Sequence, residues 1–260
     1  MTNIHPTAII HSTAQLGENV SIGAYSIIED NVVINDNTYI KNHCLIGART
    51  IIGANNKIHN AVIIGTDPQD VKYKDEPTNT IIGDNNTIRE FVTINNGTGE
   101  NGKTIVENNN LLLSYCHIAH DNKIGNNIII SNAVQLAGHV IVENNVVFGG
   151  CAAVHQFCCI GNYSMIAANA IITKDVVPYS LIDRNPAFHS INKIGLQRNN
   201  FSEETRNEIA TFYKIVFQSG YNNTAGIKKY LEINNNNIIP EIQYAIDFIN
   251  KSQRGVIRSN

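Results

Sequence analysis

The chain has 260 residues, 43% of them hydrophobic, which is enough to bury a sizeable core in one or two domains. Its formal net charge of −3 argues against a nucleic-acid-binding protein, and its apolar runs fall short of the ~20 residues that span a bilayer. Five cysteines form no CxxC pair and follow no secretory signal, which favours reduced thiols in a cytoplasmic protein.

A six-residue repeat begins at Ile4 and organises the first two thirds of the chain. Every sixth residue from Ile4 to Ile172 gives 29 positions, of which 26 are large and apolar. No 3.6- or seven-residue period accounts for this series, so it predicts a solenoid. Each hexapeptide would form a short strand and a corner, and three would complete a triangular coil of 18 residues, as in a parallel β-helix.

Glycine often follows the repeated apolar residue, as at Gly17 and Gly125. We expect its wide range of φ to serve a tight corner. Asn pairs such as Asn144-Asn145 fit turns, because Asn tolerates the left-handed conformation. Successive coils would stack at the strand spacing of about 4.8 Å, so residues 18 apart in the sequence become vertical neighbours.

The register lapses twice before it ends. Polar residues 66–80 contain two prolines, and residues 95–104 are rich in glycine and asparagine. Neither stretch continues a buried coil, so both predict projecting loops. Loops carried on a rigid scaffold commonly contribute side chains to functional sites.

The hexapeptide register stops after Ile172. The prolines Pro178 and Pro186 predict a linker, and Ser202 followed by two glutamates predicts the start of a helix. We therefore divide the chain into a β-helix over residues 1–173 and a linker with an α-helical domain over residues 174–260, which would cap the upper end of the β-helix. The first part holds 8 basic and 14 acidic residues and the second 11 and 8, so an acidic partner would meet the C-terminal part.

Four of the nine histidines lie between residues 114 and 156. Adding 18 to His120 gives Gly138, and adding 18 again gives Gln156, so these three would form one vertical file on the outer surface. The same step from Asp121 gives His139. Neither histidine occupies a core position of the repeat.

This arrangement suggests acyl transfer. A neutral imidazole at His120 would take the proton of an attacking hydroxyl, the Gly138 amide would stabilise an oxyanion, and Asp121 would fix the imidazole tautomer. Two other interpretations stay open. The histidines could be solvated turn residues, or they could bind zinc between subunits, although the closest pair, His117 and His120, lacks the His-x4-His spacing of γ-class carbonic anhydrases.

Five sequence motifs carry a family resemblance that extends from about residue 3 to residue 258. The chain resembles the bacterial acyl-carrier-protein:UDP-N-acetylglucosamine O-acyltransferases, which catalyse the first step of lipid A synthesis. The motifs are His117-Ile-Ala-His120-Asp121, Leu136-Ala-Gly138-His139, Val154-His155-Gln156-Phe157, Pro68-Gln-Asp70-Val-Lys72-Tyr73 and Ser252-Gln-Arg254-Gly-Val-Ile-Arg258.

The resemblance implies a left-handed β-helix and a homotrimer with active sites between neighbouring subunits. It also implies transfer of a 3-hydroxyacyl chain from acyl carrier protein to the sugar 3-hydroxyl of UDP-N-acetylglucosamine. No cofactor is expected beyond the phosphopantetheine of the carrier, and no metal.

The family roles transfer to matching positions of this chain. His120 would be the general base, Asp121 its orienting group and Gly138 the oxyanion hole. Asp70, Lys72 and His117 would hold the sugar, and His139, His155 and Gln156 would line the acyl or nucleotide cleft. Asn192 and Arg198 would contact the nucleotide phosphates or the donor. Ala168 would contact the end of the acyl chain and so act as a length ruler.

The chain departs from the family at Asn199, where a second arginine is common. Two rivals to the O-acyltransferase remain: a structural or binding solenoid, and the related N-acyltransferase, whose extra N-terminal uridine-binding domain has no counterpart before Ile4. The sequence leaves the acyl length open, and also whether the sugar is N-acetylglucosamine or a diamino variant.

Overall fold

The computed structural model describes residues 3–259. It is a parallel β-helix of about ten turns, as the hexapeptide repeat predicts, with a helical region at its C-terminal end, and it is left-handed, as the family resemblance implies. Strands 18 residues apart pair in register wherever no loop intervenes, for example Ile118 with Leu136 and Leu136 with Val154. Within residues 3–259 no helix is long and apolar enough to cross a membrane.

The strands form three flat faces. Face 1 contains Asn3–Ile4, Ser21–Ile22, Tyr39–Ile40, Lys57–Ile58, Thr87–Ile88, Leu111–Leu112, Ile129–Ile130, Val147–Phe148, Met165–Ile166 and Ser180–Ile182, with Phe188–Ile191 added antiparallel at its upper end. Face 2 contains Ile9–Ile10, Ile27–Ile28, Leu45–Ile46, Ile63–Thr66, Thr93–Asn95, His117–Ile118, Gln135–Leu136, Ala153–Val154 and Ile171–Ile172. Face 3 contains Gln15–Leu16, Val33–Ile34, Ile51–Ile52, Asn79–Ile82, Lys103–Val106, Lys123–Ile124, Ile141–Val142 and Cys159–Ile160.

The second residue of each two-residue strand points into the core, and the first points outward. The inward side chains from Ile22 to Ile172 are almost completely buried, which accounts for the apolar sixth positions. Burial of each such aliphatic side chain contributes roughly 1.5–3 kcal/mol.

The glycines after these apolar residues act differently from our expectation. Gly17 and Gly125 do not have positive φ; the left-handed residues lie two positions later, at Asn19 and Asn127, with φ of 56° and 57°. Glycine is needed for space, because a Cβ at Gly17 would lie 2.3 Å from Asp36 Oδ1 in the next coil.

The corner between faces 3 and 1 carries a column that we call the amide ladder, formed by Asn108, Asn126, Asn144 and Asn162. The side-chain oxygen of each of the upper three accepts the backbone N–H of the asparagine one coil below, at 2.7–3.0 Å. The side-chain amides of the lower two continue the column, with Asn108 and Asn126 each donating to the next Oδ1 at 3.0 Å. This corner therefore satisfies its own backbone donors.

The chain leaves the coil twice, between the strands that end at Thr66 and begin at Asn79, and between those that end at Asn95 and begin at Lys103. The two loops touch each other, since the Gly99 N–H donates to the Glu76 carboxylate at 2.8 Å. Both lie near the corner between faces 2 and 3.

The predicted linker contains two strands instead of irregular chain alone, because Ser180–Ile182 extends face 1 and pairs with Phe188–Ile191. Four helices follow: α1 (Lys193–Arg198), α2 (Glu203–Gln218), α3 (Asn223–Ile233) and α4 (Pro240–Lys251). The helix start predicted at Ser202 is confirmed, because its side chain accepts the Thr205 N–H. Tyr213 of α2 donates to the Pro178 carbonyl oxygen at 2.8 Å, which fixes the helices to the upper end of the β-helix.

Candidate active site

The file predicted from the 18-residue spacing is present at the corner between faces 2 and 3. We call it the catalytic corner; it consists of His120, Gly138 and Gln156. Backbone hydrogen bonds hold it in register, from the His139 N–H to the His120 carbonyl at 3.0 Å and from the Phe157 N–H to the Gly138 carbonyl at 3.1 Å. The sequence spacing therefore placed these residues correctly.

His120 points away from the β-helix core, but it is not an exposed side chain as we expected. It is 7% exposed, because Asp70 of the first loop, Gly138 and His139 lie against its ring. Its Nδ1 lies 2.9 Å from Asp121 Oδ2, and the His139 ring meets it edge-on with centroids 5.0 Å apart. The carboxylate accepts the Nδ1–H, so the tautomer assigned by this hydrogen bond leaves Nε2 as the free base.

Gly138 lies directly against the ring of His120. A Cβ at this position would be 2.5 Å from His120 Cε1 and 2.6 Å from Nε2, so only glycine allows the imidazole to occupy this place. Gly138 is buried, and within residues 3–259 no acceptor receives its N–H. An unpaired buried donor beside a base matches what an oxyanion requires.

The first loop brings Asp70 to the same point. Its Oδ2 is 3.9 Å from His120 Nε2, while its Oδ1 accepts the Lys72 N–H at 2.9 Å. The Lys72 side chain is exposed. The free nitrogen of His120 is therefore flanked by a carboxylate that can hold a polar substrate group beside it.

The second loop brings Thr98 to Asp121. The Thr98 hydroxyl donates to Asp121 Oδ2 at 2.6 Å, and the Thr98 N–H reaches both carboxylate oxygens at 3.0 and 3.1 Å. His139 Nε2 lies 3.7 Å from the same Oδ2. Asp121 is thus fixed by the loop on one side and by His120 on the other.

An open groove of about 400 Å³ runs from the catalytic corner across face 2. His117 lies on its floor and shares a hydrogen bond with Thr93 Oγ1 at 2.8 Å. Burial, and to a lesser extent the neighbouring His120, lowers the pKa of His117, which keeps this imidazole neutral. Gln135 and Gln156 add amide groups to the rim, so the groove offers neutral polar contacts beside the base.

The remaining predicted residues lie away from His120. His155 is exposed and its Nδ1 donates to the Gln156 carbonyl at 3.2 Å. Asn192 is the N-cap of α1: its Oδ1 accepts the Gly195 N–H, and its Nδ2 donates to the Tyr163 carbonyl at 2.9 Å. Arg198 is exposed in the last turn of α1, and Ala168 is exposed at the corner between faces 1 and 2. Their substrate roles stay predictions.

In the part of the chain that the structure describes, one group of side chains offers metal ligands within 4.8 Å of one another: His120, Asp121 and His139. However, His120 Nδ1 and Asp121 Oδ2 face each other at hydrogen-bond distance. They share a proton instead of converging on a common ion, so the geometry favours a base with its orienting carboxylate.

Sequence reasoning missed three threonines. Thr98 binds Asp121, Thr104 Oγ1 accepts the Asp121 N–H at 2.8 Å, and Thr93 binds His117. Thr93 follows directly from the strand register, since it pairs with His117 on face 2. No spacing rule applied to Thr98, because the loop interrupts the repeat.

Comparison with known proteins identifies close relatives. Residues 175–257 match the family model for domain 2 of UDP-N-acetylglucosamine O-acyltransferase, and residues 1–110 match the model for the GMPPB C-terminal domain. The chain is 48% identical to the acyl-(acyl-carrier-protein)–UDP-N-acetylglucosamine O-acyltransferase of Janthinobacterium sp. strain Marseille, over 99% of this chain and all of the relative. It is 46% identical to the enzyme of the same name from Paraburkholderia phymatum, with the same coverage. The crystal structure of a UDP-N-acetylglucosamine acyltransferase from Bacteroides fragilis superposes with a TM-score of 0.94 and 42% identity, covering 98% of this chain and 99% of that one.

Proposed function

Because the chain belongs to the acyl-(acyl-carrier-protein)–UDP-N-acetylglucosamine O-acyltransferase family, we propose that it transfers a 3-hydroxyacyl chain from the carrier thioester to the sugar 3-hydroxyl, with His120 as general base. This would be the first step of lipid A synthesis. The observation that supports the chemistry most directly is the contact of His120 with both Asp121 and Gly138.

The arrangement accounts for each step of a direct transfer. His120 Nε2 takes the proton of the sugar 3-hydroxyl, and the sugar oxygen attacks the thioester carbonyl carbon. The Gly138 N–H binds the oxyanion of the tetrahedral intermediate. When the C–S bond breaks, the imidazolium returns the proton to the thiolate, and Asp121 stabilises the positive ring throughout. No enzyme nucleophile and no cofactor beyond the carrier's phosphopantetheine are needed.

We place the sugar at the start of the groove. Asp70, beside His120 Nε2, would accept a hydrogen bond from a sugar hydroxyl, and Lys72 is exposed on the same loop. His117 is neutral and would donate or accept without adding charge near the base. His139, His155 and Gln156 would line the cleft above, with the His139 ring stacked on Phe157 at 4.7 Å.

We further propose that the enzyme is a homotrimer whose sites lie between subunits. Two observations support this. The groove on face 2 is open on one side, and so lacks the wall that a long acyl chain needs. Face 1 presents an outward apolar row at Leu111, Ile129, Val147 and Met165, with Ile129 40% exposed, which a neighbouring subunit would cover.

The donor would approach from the C-terminal side. Residues 174–260 carry the basic excess of the chain, and Lys193 and Arg198 are exposed on α1. Acyl carrier protein is strongly acidic, so these cations favour its encounter. The Asn192 side chain is occupied as a helix cap, so we assign the phosphate contact mainly to Arg198.

The test is transfer from 3-hydroxyacyl carrier protein to UDP-N-acetylglucosamine, followed by mass spectrometry. The unmodified protein should give a sugar nucleotide heavier by one hydroxyacyl group. His120→Ala and His120→Gln should lower the rate by roughly 10²–10⁴-fold. In His120→Gln, the glutamine side chain fills most of the buried space that His120→Ala would leave empty. His43→Ala is the matched control, since His43 is an exposed corner histidine in the lower coils.

Each alternative has its own outcome. If the unmodified protein gives no product and contains stoichiometric zinc after purification, the metal-dependent interpretation replaces ours. If it gives no product and contains no zinc, a diamino sugar nucleotide is the next acceptor to test. Full activity of both His120 variants would remove His120 as the base.

A further inference from the structure

Thr98 lies in the second loop, between the strand that ends at Asn95 and the strand that begins at Lys103. Nothing in the hexapeptide pattern predicts a role for it. It nevertheless makes the largest set of hydrogen bonds to the side chain of Asp121: its hydroxyl is 2.6 Å from Oδ2, and its N–H is 3.0 and 3.1 Å from the two oxygens.

These contacts decide where the Asp121 carboxylate points. Oδ2, the oxygen that receives the Thr98 hydroxyl, is also the one that faces His120 Nδ1 at 2.9 Å. It lies 3.7 Å from His139 Nε2 as well, so the carboxylate could turn toward a second imidazole. The hydroxyl of Thr98 approaches the same oxygen and holds the carboxylate in the position that serves His120.

The loop itself does not depend on the Thr98 hydroxyl. Asn95 Nδ2 donates to the Asp67 carbonyl and Asn96 Nδ2 to the Gly65 carbonyl, both at 2.9 Å. The Gly99 N–H adds the contact to Glu76. Three neighbouring residues therefore anchor the backbone of this loop independently, and the hydroxyl of Thr98 is left to act on Asp121.

We infer that Thr98 is a positioning residue of the acyl transfer: its hydroxyl fixes the Asp121 carboxylate against His120 Nδ1 and so presents Nε2 to the sugar hydroxyl. This rests on the proposed function, in which His120 is the base. The Thr98 hydroxyl and N–H both bond to the Asp121 carboxylate, so the effect of Thr98 on His120 passes through that carboxylate. The second loop would then belong to the catalytic apparatus as well as to the wall of the site.

The discriminating variants are Thr98→Val and Thr98→Ser. Valine keeps the shape and the backbone N–H but removes the hydroxyl, whereas serine keeps the hydroxyl. Loss of a hydrogen bond to a charged group lowers the rate by roughly ten- to hundredfold when its whole free energy stabilises the transition state. We expect kcat of Thr98→Val to fall by about tenfold or more with the KM for UDP-N-acetylglucosamine unchanged within about twofold. Thr98→Ser should restore most of the loss.

A double-mutant cycle separates positioning from general support of the loop. In an Asp121→Ala background, Thr98→Val should cost almost nothing more, because the group through which it acts is gone. Equal losses in both backgrounds would overturn the inference, and so would wild-type kcat in Thr98→Val. A low kcat that Thr98→Ser fails to restore would also overturn it, because the hydroxyl would then not be the active feature.

The same series shows whether the inference or the proposed function has failed. If His120→Ala and Asp121→Ala each lose most of their kcat while Thr98→Val is fully active, the function stands and the role of Thr98 does not. If the unmodified protein transfers no acyl group, or if His120→Ala is fully active, the proposed function fails first.

Discussion

Two corners of the same β-helix use the same backbone geometry for opposite purposes. At the corner between faces 3 and 1, the amide ladder caps backbone N–H groups with the side chain one coil above. At the catalytic corner, no side chain of the described residues caps the N–H of Gly138, and an imidazole fills the space below it. The ladder satisfies its donors, whereas the Gly138 N–H has no acceptor among the described residues.

This difference shows how a repetitive fold acquires a site. An uncapped buried N–H lowers stability, so it persists where neighbouring structure offsets the cost. Here the two loops provide that structure, through Thr98 on Asp121 and Asp70 beside His120. Variants on the two corners should therefore separate activity from stability.

The largest effect is expected for Gly138→Ala. The new Cβ would lie 2.5 Å from the His120 ring, so the imidazole has to move away from both Asp121 and the Gly138 N–H. A displacement of about 1 Å in a catalytic group costs on the order of 10²-fold in rate, and we expect kcat to fall by at least that much. Steady-state kinetics and circular dichroism would show an inactive but folded protein.

The matched control is Gly125→Ala on the ladder corner. Its Cβ would lie 2.8 Å from Asn144 Oδ1 and 3.0 and 3.1 Å from the carbonyl carbon and oxygen of Glu143, so the ladder has to shift, whereas His120 is not among these contacts. The melting temperature should fall while kcat stays within about twofold. If Gly125→Ala lost as much activity as Gly138→Ala, the contrast between the two corners would be wrong.

The third corner, between faces 1 and 2, tests specificity. Ala168 is exposed there, at the edge of face 2 opposite the catalytic corner. Ala168→Met should favour shorter acyl chains, because one or two methylenes in an apolar pocket alter selectivity by roughly 10-fold or more. Competition between carrier proteins bearing chains of different length measures this directly. An unchanged donor profile would remove Ala168 from the ruler role and leave the acyl end elsewhere.

The sequence predicted the β-helix and the residues of the catalytic corner because residues 18 apart in the chain lie one coil above another. His120, Gly138 and Gln156 were placed correctly by addition alone, and so were Asp121 and His139. The burial of His120 was not predicted, because it depends on loops outside the repeat. Thr98 was missed for the same reason, and the strands at Ser180–Ile182 and Phe188–Ile191 were hidden behind a proline-containing stretch.

A smaller effect, on stability alone, is expected for Asn126→Ala. The change removes the acceptor of the Asn108 N–H and side-chain amide, and the donor to Asn144. Leaving a partly buried backbone donor unpaired costs about 1–3 kcal/mol. Urea denaturation should show this loss, while kcat per folded molecule stays the same. A large loss of kcat would mean that the ladder also shapes the active site.

The smallest effect concerns pH, and it separates the groove on face 2 from the ladder corner. Burial lowers the pKa of His117 in the folded protein, so below about pH 6.5 the unfolded chain binds a proton that the folded one resists. Stability should therefore decline as the pH falls from about 7 to 5, with His59 contributing in the same direction because its pKa is also lowered, mainly by burial. His117→Gln should give a shallower dependence. Asn126→Ala, which removes only neutral groups, should give a curve parallel to that of the unmodified protein but displaced downward. Urea denaturation at three pH values and one fixed protein concentration measures these curves. If the curve of His117→Gln, like that of Asn126→Ala, ran parallel to the curve of the unmodified protein, His117 would protonate equally in the folded and unfolded chains.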